Sequence, residues 1–505
     1  MFVRKKKNIS GSVSIQIIEK QGGKNKLIKS IGSSKDEEKV KFLASKAYSE
    51  ISKIQKQEIL DFGYSQNDKN IFNFVDENIK IYSVGANLVL GNIFNSIGFN
   101  KIKDPLFKKL VISRITYPVS KLKTTEYLER HLDDKINIQS IYRFLDRLHK
   151  KYKEEIEQIS YEYTKKILKN ITVVFYDMTT LYFDIKEEDS LRKIGFSKDG
   201  KFQKPQIMLG LLVGEDGYPI GYDIFEGNTF EGKTMIPFIE RLQKKYDFSK
   251  PIVIADSGLL SNKNITDLKE KKYQFIIGAR IKNESNQVKN EILVKTKNFK
   301  HRESISLEKE DCNLIVSYSN QRAKKDKHNR EKGLRKLKTR ITSGKLTKDQ
   351  INNRGYNKFL KLKNEIEVEL DEDQIKNDKN WDGLKGYITN TDLPNEDVIK
   401  NYSHLWKIEK AFRISKNDLK IRPIFHFKKE RIETHICLSF VAYTIYKELE
   451  RLLKVNEIDL SVTKAVELLE TIYEMEFTLP DSQKIVKKLV NLKSKHKELL
   501  RVTRC

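Results

Sequence analysis

Two apolar stretches that each end in an aspartate decide the fold of this chain: ITVVFYDMTTLYF at residues 171–183 and PIVIADSGLL at residues 251–260. Each stretch opens with apolar, largely β-branched residues, which is the composition of a short strand buried on both faces. Asp177 ends the first apolar run and Asp256 ends the second. If the two strands are neighbours in one sheet, both carboxylates project at the same edge.

The two aspartates together predict a metal site. Like charges a few ångströms apart repel each other, and a divalent cation removes that repulsion. Mg²⁺ prefers oxygen ligands and commonly keeps water molecules beside one or two carboxylates. Either aspartate taken alone has a structural alternative, because acidic residues at strand ends often cap the following turn or helix.

The pattern around the aspartates predicts an α/β domain. Residues 204–227 alternate around an acidic, glycine-containing turn and indicate a hairpin, and residues 232–246 have helical spacing. A further strand is predicted in YQFIIGARI at residues 273–281, after a short helix. The predicted order from residue 171 is therefore strand, strand, strand, helix, strand, helix, strand.

A third acidic residue, Glu409, lies far downstream in YSHLWKIEKAFRISK at residues 402–416. We predict one helix here, with about 3.6 residues per turn. Its apolar stripe can pack on a sheet and contains Leu405, Ile408 and Phe412. The adjacent stripe contains Tyr402, Glu409, Arg413 and Lys416. This second stripe is either a phosphate-binding surface or a solvated face with a Glu–Arg pair four residues apart.

The whole sequence divides into four predicted regions. The first contains a predicted hairpin in residues 1–33 and charged helices over 36–62 and 68–82. The basic stretch 321–340 has ten Lys and Arg against two acidic residues. The predicted domains are a mostly helical N-terminal region at 1–165, an α/β core at 166–280 and 386–450, a basic β-containing insertion at 281–385, and a helical tail at 451–505.

The charge of the chain indicates a polyanionic partner. The 505 residues include 97 Lys and Arg against 70 Asp and Glu, which gives a formal net charge of +27. Each phosphate that such a surface neutralises releases counterions and adds affinity. A lysine-rich composition of the genome is the alternative explanation. Three widely separated cysteines predict neither a zinc site nor disulfides, and no apolar run approaches the roughly 20 residues that span a bilayer.

The motifs resemble those of insertion-sequence DDE transposases with a Tyr-x2-Arg-x3-Glu-x6-Lys signature. Tyr402, Glu409 and Lys416 match that signature at the required spacing, and Leu405 stands where the family has arginine. The stretches YDMTTLYF, GFSKDGKFQKPQIMLGLL and IADSGLLS also resemble family motifs, so that the similarity covers about residues 165–450.

The resemblance implies an α/β fold with a ribonuclease-H-like mixed sheet and an inserted β-containing domain, which follow the N-terminal region whose spacing is mostly helical. It implies that residues 1–165 bind DNA and that residues 166–280 and 386–450 form the catalytic core. It implies Asp177, Asp256 and Glu409 as catalytic residues and as ligands of two Mg²⁺ ions, with Mn²⁺ as a substitute. Tyr402, Arg413 and Lys416 would contact DNA.

The implied partners are the double-stranded transposon ends and target DNA, bound by a homodimer without a membrane, in the cytoplasm at the nucleoid. A decayed protein that still binds transposon ends, and a ribonuclease-H-like nuclease without strand transfer, are the alternatives.

Overall fold

The computed structural model describes residues 1–21, 23–54, 79–197, 200–246, 248–259, 261–309, 311–344, 346, 351–352, 354–362, 367–479 and 484–503. The chain forms two compact units. One comprises Met1–Lys80 and Glu476–Val486, and the other comprises Ile81–Met475 and Lys487–Cys505.

The first unit is a small antiparallel sheet with one helix. Its strands are β1 (Phe2–Lys7), β2 (Val13–Gln21) and β3 (Lys24–Ser34), in that order, and its helix is α1 (Glu37–Ile54). The apolar stripe of α1 recurs at helical spacing and packs on Ile15 and Ile17 of β2; it consists of Val40, Ala44, Ala47 and Ile51.

The predicted hairpin of β2 and β3 is confirmed, whereas β1 was not predicted. The helix predicted over 36–62 is confirmed from Glu37 to Ile54, and its remainder lies outside the described residues. The helix predicted over 68–82 lies outside them up to residue 78. The last residues of this predicted helix, from residue 79 on, belong to strand β4 (Ile79–Ser83), so the prediction was wrong there. The alternating sequence IKIYS suits a strand better than a helix.

An eight-stranded mixed sheet organises the second unit. Its strand order is β10-β11-β14-β9-β8-β5-β6-β7. The strands are β5 (Val173–Tyr182), β6 (Gln206–Val213), β7 (Pro219–Glu226), β8 (Ile252–Ala255), β9 (Phe275–Ala279), β10 (Ser304–Lys309), β11 (Cys312–Tyr318) and β14 (Leu384–Thr389). The pairings β5–β8 and β8–β9 are parallel, and the others are antiparallel.

The five strands from β5 to β9 have the spatial order third, second, first, fourth, fifth. That order, with its antiparallel first hairpins and parallel later strands, is the ribonuclease-H-like sheet that the resemblance implied. The predicted succession of strands and helices over 171–281 is confirmed element by element. The apolar runs at these positions form strands because both faces of the sheet are covered by helices.

The helices of the second unit surround the sheet. They are α2 (Gly85–Ile97), α3 (Pro105–Thr116), α4 (Lys121–Leu132), α5 (Ile138–Arg147), α6 (Lys153–Leu168), α7 (Met235–Tyr246), α8 (Asn262–Glu270), α9 (Asn286–Thr296), α10 (Asn320–Thr342), α11 (Glu372–Lys379), α12 (Asn395–Ser403), α13 (Trp406–Arg413), α14 (Lys429–Val455), α15 (Val462–Glu470) and α16 (Ser494–Arg501). Among the described residues, no helix is long and apolar enough to cross a membrane.

The sheet separates two hydrophobic cores. Along β5, Phe175 and Leu181 belong to the core that also contains α2, α3, α13 and α14, and we call this side the front face. Val174 and Tyr176 belong to the core that contains α7, and we call this side the back face. Because side chains alternate along a strand, the parity of a residue number identifies its face in each strand.

The predicted insertion extends the sheet. Strands β10, β11 and β14 continue the ladder beyond β9, and a small hairpin of β12 (Leu360–Leu362) and β13 (Val368–Leu370) lies between them in sequence. The basic stretch forms the 23-residue helix α10. Arg330 at its centre is buried and donates two hydrogen bonds to Asp382, at 2.5 and 2.6 Å.

The C-terminal tail differs from the helical prediction. Two strands, β15 (Tyr473–Thr478) and β16 (Ile485–Val490), lie between α15 and α16. The boundary between the two units runs through β4, β15 and β16. The sequence YEMEFT alternates apolar and acidic residues at a period of two, which is a strand signal interrupted by charge, and IVKKLV shows no such alternation.

The helix predicted over about residues 395–416 is broken. Helix α12 ends at Ser403, α13 begins at Trp406, and a π-helical turn follows at Ile414–Asp418. Tight hydrogen bonds between residues three apart mark the break. The Leu405 amide donates to the Tyr402 carbonyl oxygen at 3.0 Å, and Lys407 to His404 at 2.9 Å. Tyr402 therefore does not share a continuous helical stripe with Glu409, and the predicted stripe was wrong in this respect.

Leu405 packs in the core. It is 8% exposed and belongs to the front-face core together with Ile408 and Phe412. The apolar stripe that the sequence predicts is thereby confirmed, because all three side chains are buried on one side of α13 and of the residue that precedes it. The leucine at the arginine position of the signature is a packing residue.

We predict that Leu405→Arg lowers the free energy of unfolding by about 3 kcal/mol, because a charged side chain replaces a buried apolar one. Leu405→Met conserves volume and should cost less than about 1.5 kcal/mol. Urea denaturation of both variants measures the difference. A Leu405→Arg protein as stable as the wild type would show that this position accepts an exposed arginine.

Candidate active site

Asp177 lies within β5 and not at its end. The strand continues for five residues to Tyr182, so the prediction that Asp177 terminates it was wrong. The residues MTTLY after the aspartate are good strand formers, and all of them pair with β6. On its other side, however, β5 pairs with β8 only as far as Phe175. Asp177 therefore lies just beyond the point where the parallel ladder stops.

The parallel register aligns the two aspartates. Val173 pairs with Ile252 and Phe175 with Ile254, which is an offset of 79 residues in each case. The same offset relates Asp177 to Asp256, the first residue after β8. Neighbouring strands lie about 4.8 Å apart. The two aspartates thus occupy the same level on adjacent chain segments, as their positions in the sequence predicted.

Both aspartates are on the front-face register of their strands. Asp177 has the parity of Phe175, and Asp256 has the parity of Ile254, both of which belong to the front-face core. The backbone around each carboxylate is held locally. The Met178 amide donates to Asp177 Oδ1 at 2.7 Å, and the Gly258 amide donates to Asp256 Oδ1 at 2.6 Å.

Glu409 lies on α13, which packs across β5 and β6 on this face. Its side chain is exposed, whereas its neighbours Ile408 and Phe412 are buried beneath it. The amphipathic pattern of α13 therefore fixes which side of the helix meets the sheet. Glu409 itself is exposed, and its carboxylate is within electrostatic reach of Tyr402 and Lys385.

Tyr402 is within electrostatic reach of two of the predicted catalytic acids, Asp256 and Glu409. Burial raises the pKa of its hydroxyl, and the carboxylates of Asp256 and Glu409 raise it further. The side chain is 6% exposed. It crosses β9 closely, because a Cβ at Gly278 would lie only 2.3 Å from the Tyr402 hydroxyl. The DNA-contact role predicted for Tyr402 stays a prediction.

Two basic residues that the sequence analysis missed lie beside this tyrosine. The Lys385 ammonium of β14 lies 4.3 Å from the centre of the Tyr402 ring and 5.6 Å from that of Tyr387. The Arg322 Nε of α10 donates to the Leu384 carbonyl oxygen at 3.1 Å. Burial and the charge of Arg322 lower the pKa of Lys385, while Glu409 opposes them, and the result is about 8. Alternation in LKGYIT, which assigns Lys385 and Tyr387 to one face, was the available signal.

The other predicted DNA contacts lie elsewhere on the helix pair. Arg413 is exposed and lines a cavity of about 560 Å³ with residues of α14 and of the segment leading to α15. Lys416 is half-buried in the π-helical turn. Their contacts with DNA remain predictions.

The described residues contain no group of three or more His, Cys, Asp or Glu side chains placed to hold one metal ion. The pair Asp177 and Asp256 nevertheless offers hard oxygen donors at adjacent positions, which suits Mg²⁺. Glu409 stands across the same face of the sheet. The two aspartates therefore suit a divalent cation in their chemistry, and a ligand set that includes Glu409 stays a prediction.

The strand order and the aspartates at the end of the parallel ladder define a ribonuclease-H-like fold with an acidic front face. The sequence profile described as "Transposase DDE domain" matches residues 169–445, more than half of the chain. The chain therefore belongs to the family of DDE transposase domains.

The solved structures to which this chain is similar include two transposase complexes. The cryo-EM structure of the piggyBac transposase synaptic complex with hairpin DNA is 9% identical, with a TM-score of 0.39, over 77% of this chain and 78% of that chain. The Mos1 transposase paired-end complex with the left transposon end is 14% identical, with a TM-score of 0.16, over 31% and 53%. No curated protein matches the sequence.

We predict that Lys385 makes stability depend on pH in the alkaline range. Its pKa falls from the ordinary value of 10.5 to about 8 in the folded protein. Between these values the unfolded chain binds more protons, so the free energy of unfolding rises with pH. The rise should be smaller in Lys385→Met, and the difference between the two curves, measured by urea denaturation from about pH 7 to 10.5, isolates the lysine.

The matched control is Lys385→Arg, whose guanidinium remains charged across the range. Its curve should resemble that of Lys385→Met. Parallel curves for the wild type and Lys385→Met would mean that the ammonium is as well solvated in the folded protein as in the unfolded chain.

Proposed function

We propose that this protein is a DNA transposase that cuts at the ends of an insertion sequence and joins them to target DNA. The proposed catalytic residues are Asp177, Asp256 and Glu409. The observation that carries the proposal is the register of β5 and β8, which aligns the two aspartates on the face that α13 crosses. Membership of the DDE transposase family supports the same function.

The proposed reaction consists of two phosphoryl transfers. Water first attacks a phosphodiester at the transposon end and releases a 3′-OH. That 3′-OH then attacks a phosphodiester of the target, so that one P–O bond forms as another breaks. Catalysis of this kind depends on positioning and on stabilising charge at the phosphate.

The three acids would hold two Mg²⁺ ions, which activate the attacking oxygen and stabilise the leaving oxygen when bound. Lys385 and Arg322 supply positive charge beside Glu409, and we assign to them the non-bridging oxygens of the scissile phosphate. The Tyr402 hydroxyl is protonated at neutral pH, as tyrosine ordinarily is, and we assign to it a hydrogen bond to a DNA phosphate near Asp256. Its buried ring also fixes α12 against β9.

Helix α10 supplies a second basic surface. Eight of its ten Lys and Arg side chains are exposed. Arg330 is buried in its pair with Asp382, so the helix keeps its position while the other basic residues remain available. We assign the exposed side chains to the DNA backbone, since phosphate contacts position a protein on DNA without reading sequence. A homodimer that holds two transposon ends completes the proposal.

We predict that Asp177→Asn, Asp256→Asn and Glu409→Gln each reduce cleavage of transposon ends by at least about a thousandfold, because each amide keeps its shape but loses the charge that binds Mg²⁺. Binding of the ends should stay within about threefold of the wild type. Gel-based assays on end-containing duplexes measure cleavage, strand transfer and binding of the ends. Near wild-type strand transfer by any one variant would remove that residue from the triad.

Activity should require Mg²⁺ or Mn²⁺, because the proposed ligands are all carboxylate oxygens. Ca²⁺ should support binding of the ends with little cleavage. The assay is cleavage in chelated protein to which each ion is returned separately. Full cleavage in excess EDTA would contradict the proposal.

We predict that neutralising exposed lysines of α10 flattens the salt dependence of DNA binding. In a variant with Lys324, Lys325, Lys332 and Lys336 changed to Gln, the slope of log K against log salt should fall by about 0.9 for each DNA phosphate that the helix no longer neutralises. Arg330 is left unchanged because of its pair with Asp382. Four exposed lysines outside both α10 and the predicted DNA-binding N-terminal region, Lys244, Lys263, Lys272 and Lys297, changed to Gln provide a control of equal charge. Equal slopes for the wild type and the α10 variant would mean that α10 does not contact DNA.

A further inference from the structure

A ridge of exposed aromatic side chains lies at the end of β5. Phe425 is 65% exposed and Phe427 is 69% exposed. They alternate with Ile424 and His426, which are 5% and 8% exposed. Such alternation directs both phenylalanines to solvent on the same side of the segment. Two neighbouring large rings held in water are unusual on a protein surface unless they bind something.

The segment that carries the ridge is anchored from below. The Arg114 guanidinium of α3 donates to the Lys420 carbonyl oxygen at 3.3 Å. The His435 Nε2 of α14 lies 2.8 Å from the Ile421 carbonyl oxygen, and the ring of His435 contacts that of His426. The exposure of Phe425 and Phe427 is therefore imposed by a packed interior.

Cationic side chains border the ridge. The Arg192 guanidinium lies 5.8 Å from the Phe427 ring and 5.4 Å from the Phe183 ring. Arg192 is 8% exposed, and among the residues that the structure describes its Nη1 has no hydrogen-bond partner, although Asp189 binds the other side of the group. Arg422 and Lys201 lie 5.5 and 5.9 Å from the Tyr182 ring.

We propose that this ridge, Phe425 and Phe427 with their bordering cations, binds unpaired bases of a DNA strand. The inference rests on the proposed transposase function and adds a second contact for its substrate. Flat aromatic faces stack on any unpaired base, and adjacent cations bind the phosphates between bases. Bases within a duplex are already stacked on one another, so rings that lie on a surface do not reach their faces.

The position of the ridge agrees with an unpaired strand near the catalytic acids. Tyr182 and Asp177 lie five residues apart on β5, which corresponds to roughly 16 Å along the strand. That length equals about five nucleotides at the roughly 3.4 Å rise of a strand within a duplex, and fewer in an extended unpaired strand. The ridge therefore binds bases a few nucleotides from the phosphate that reacts.

The test compares two double variants that differ only in the aromatic face. Phe425→Leu with Phe427→Leu keeps apolar surface and removes the rings, whereas Phe425→Trp with Phe427→Trp keeps flat rings. The probe is a short single-stranded oligonucleotide that contains 2-aminopurine, whose fluorescence is quenched by stacking. A duplex of the same sequence is the second ligand. All measurements are made in EDTA, so that no chemistry is required.

The leucine variant should bind the single strand at least about fivefold more weakly than the wild type. It should also lose the quenching of 2-aminopurine fluorescence, and its affinity for the duplex should be unchanged. The tryptophan variant should keep both the single-strand affinity and the quenching. Unchanged single-strand affinity and quenching in the leucine variant overturn the proposal. Equal losses on single strand and duplex overturn it too, because stacking on unpaired bases would then not be the cause.

Sedimentation and thermal denaturation of the same proteins separate other causes. If the leucine variant changes oligomeric state while its single-strand binding is unchanged, the ridge is an interface between copies of this chain and the proposal is wrong. Both rings are exposed, so the melting temperature of the leucine variant should stay within a few degrees of that of the wild type. If the leucine variant is less stable than this, the comparison of the tryptophan variant with the wild type still tests the proposal.

Failure of this proposal is distinguishable from failure of the proposed function. Stacking is measured without cleavage, and it should persist in an Asp177→Asn background. If the ridge variants bind normally while the triad variants lose cleavage, the ridge assignment fails and the catalytic assignment stands. If the ridge variants lose single-strand binding while the triad variants still cleave, the catalytic assignment fails and the ridge assignment stands.

Discussion

The short parallel ladder between β5 and β8 is the constraint on which the rest of the second unit depends. It sets the register that aligns Asp177 with Asp256, and it ends where both side chains need space. β5 continues along β6 while β8 leaves the sheet, which opens a gap at the acidic positions. The helices α12 and α13 cover this side of the sheet, so the third acid reaches the same face from a distant part of the sequence.

Much of this arrangement could be predicted from the sequence. The apolar runs of β5 and β8 predict strands that are buried on both faces. The order of strands and helices from residue 171 follows from the periodicity of the apolar residues. The apolar stripe of α13 was equally predictable, because Leu405, Ile408 and Phe412 have the spacing of one helical face. Strong, local hydrophobic patterns were thus sufficient for the central sheet and for the packing of the Glu409 helix.

The remaining features depend on contacts that a single sequence does not display. The break between α12 and α13 follows no proline or glycine, since residues 403–406 are Ser, His, Leu and Trp; its tight hydrogen bonds exist because Tyr402 packs over Gly278 while Leu405 enters the core. Lys385 and Arg322 come from strands and helices distant in sequence, so their proximity to Glu409 required the ladder between β9 and β14. The strands of the tail were missed because their alternation is weak and charged.

The extension of the sheet beyond β9 has a consequence for how such a protein can be shortened. Strand β9 bonds to β14 along residues 276–279, so the segment between the second aspartate and the glutamate closes the edge of the central sheet. Excising that segment together with β14 would uncover the backbone amides and carbonyls of β9 and offer them to any other chain. A minimal version of this protein must therefore retain β14 or supply a substitute edge strand, even if it dispenses with the basic helix.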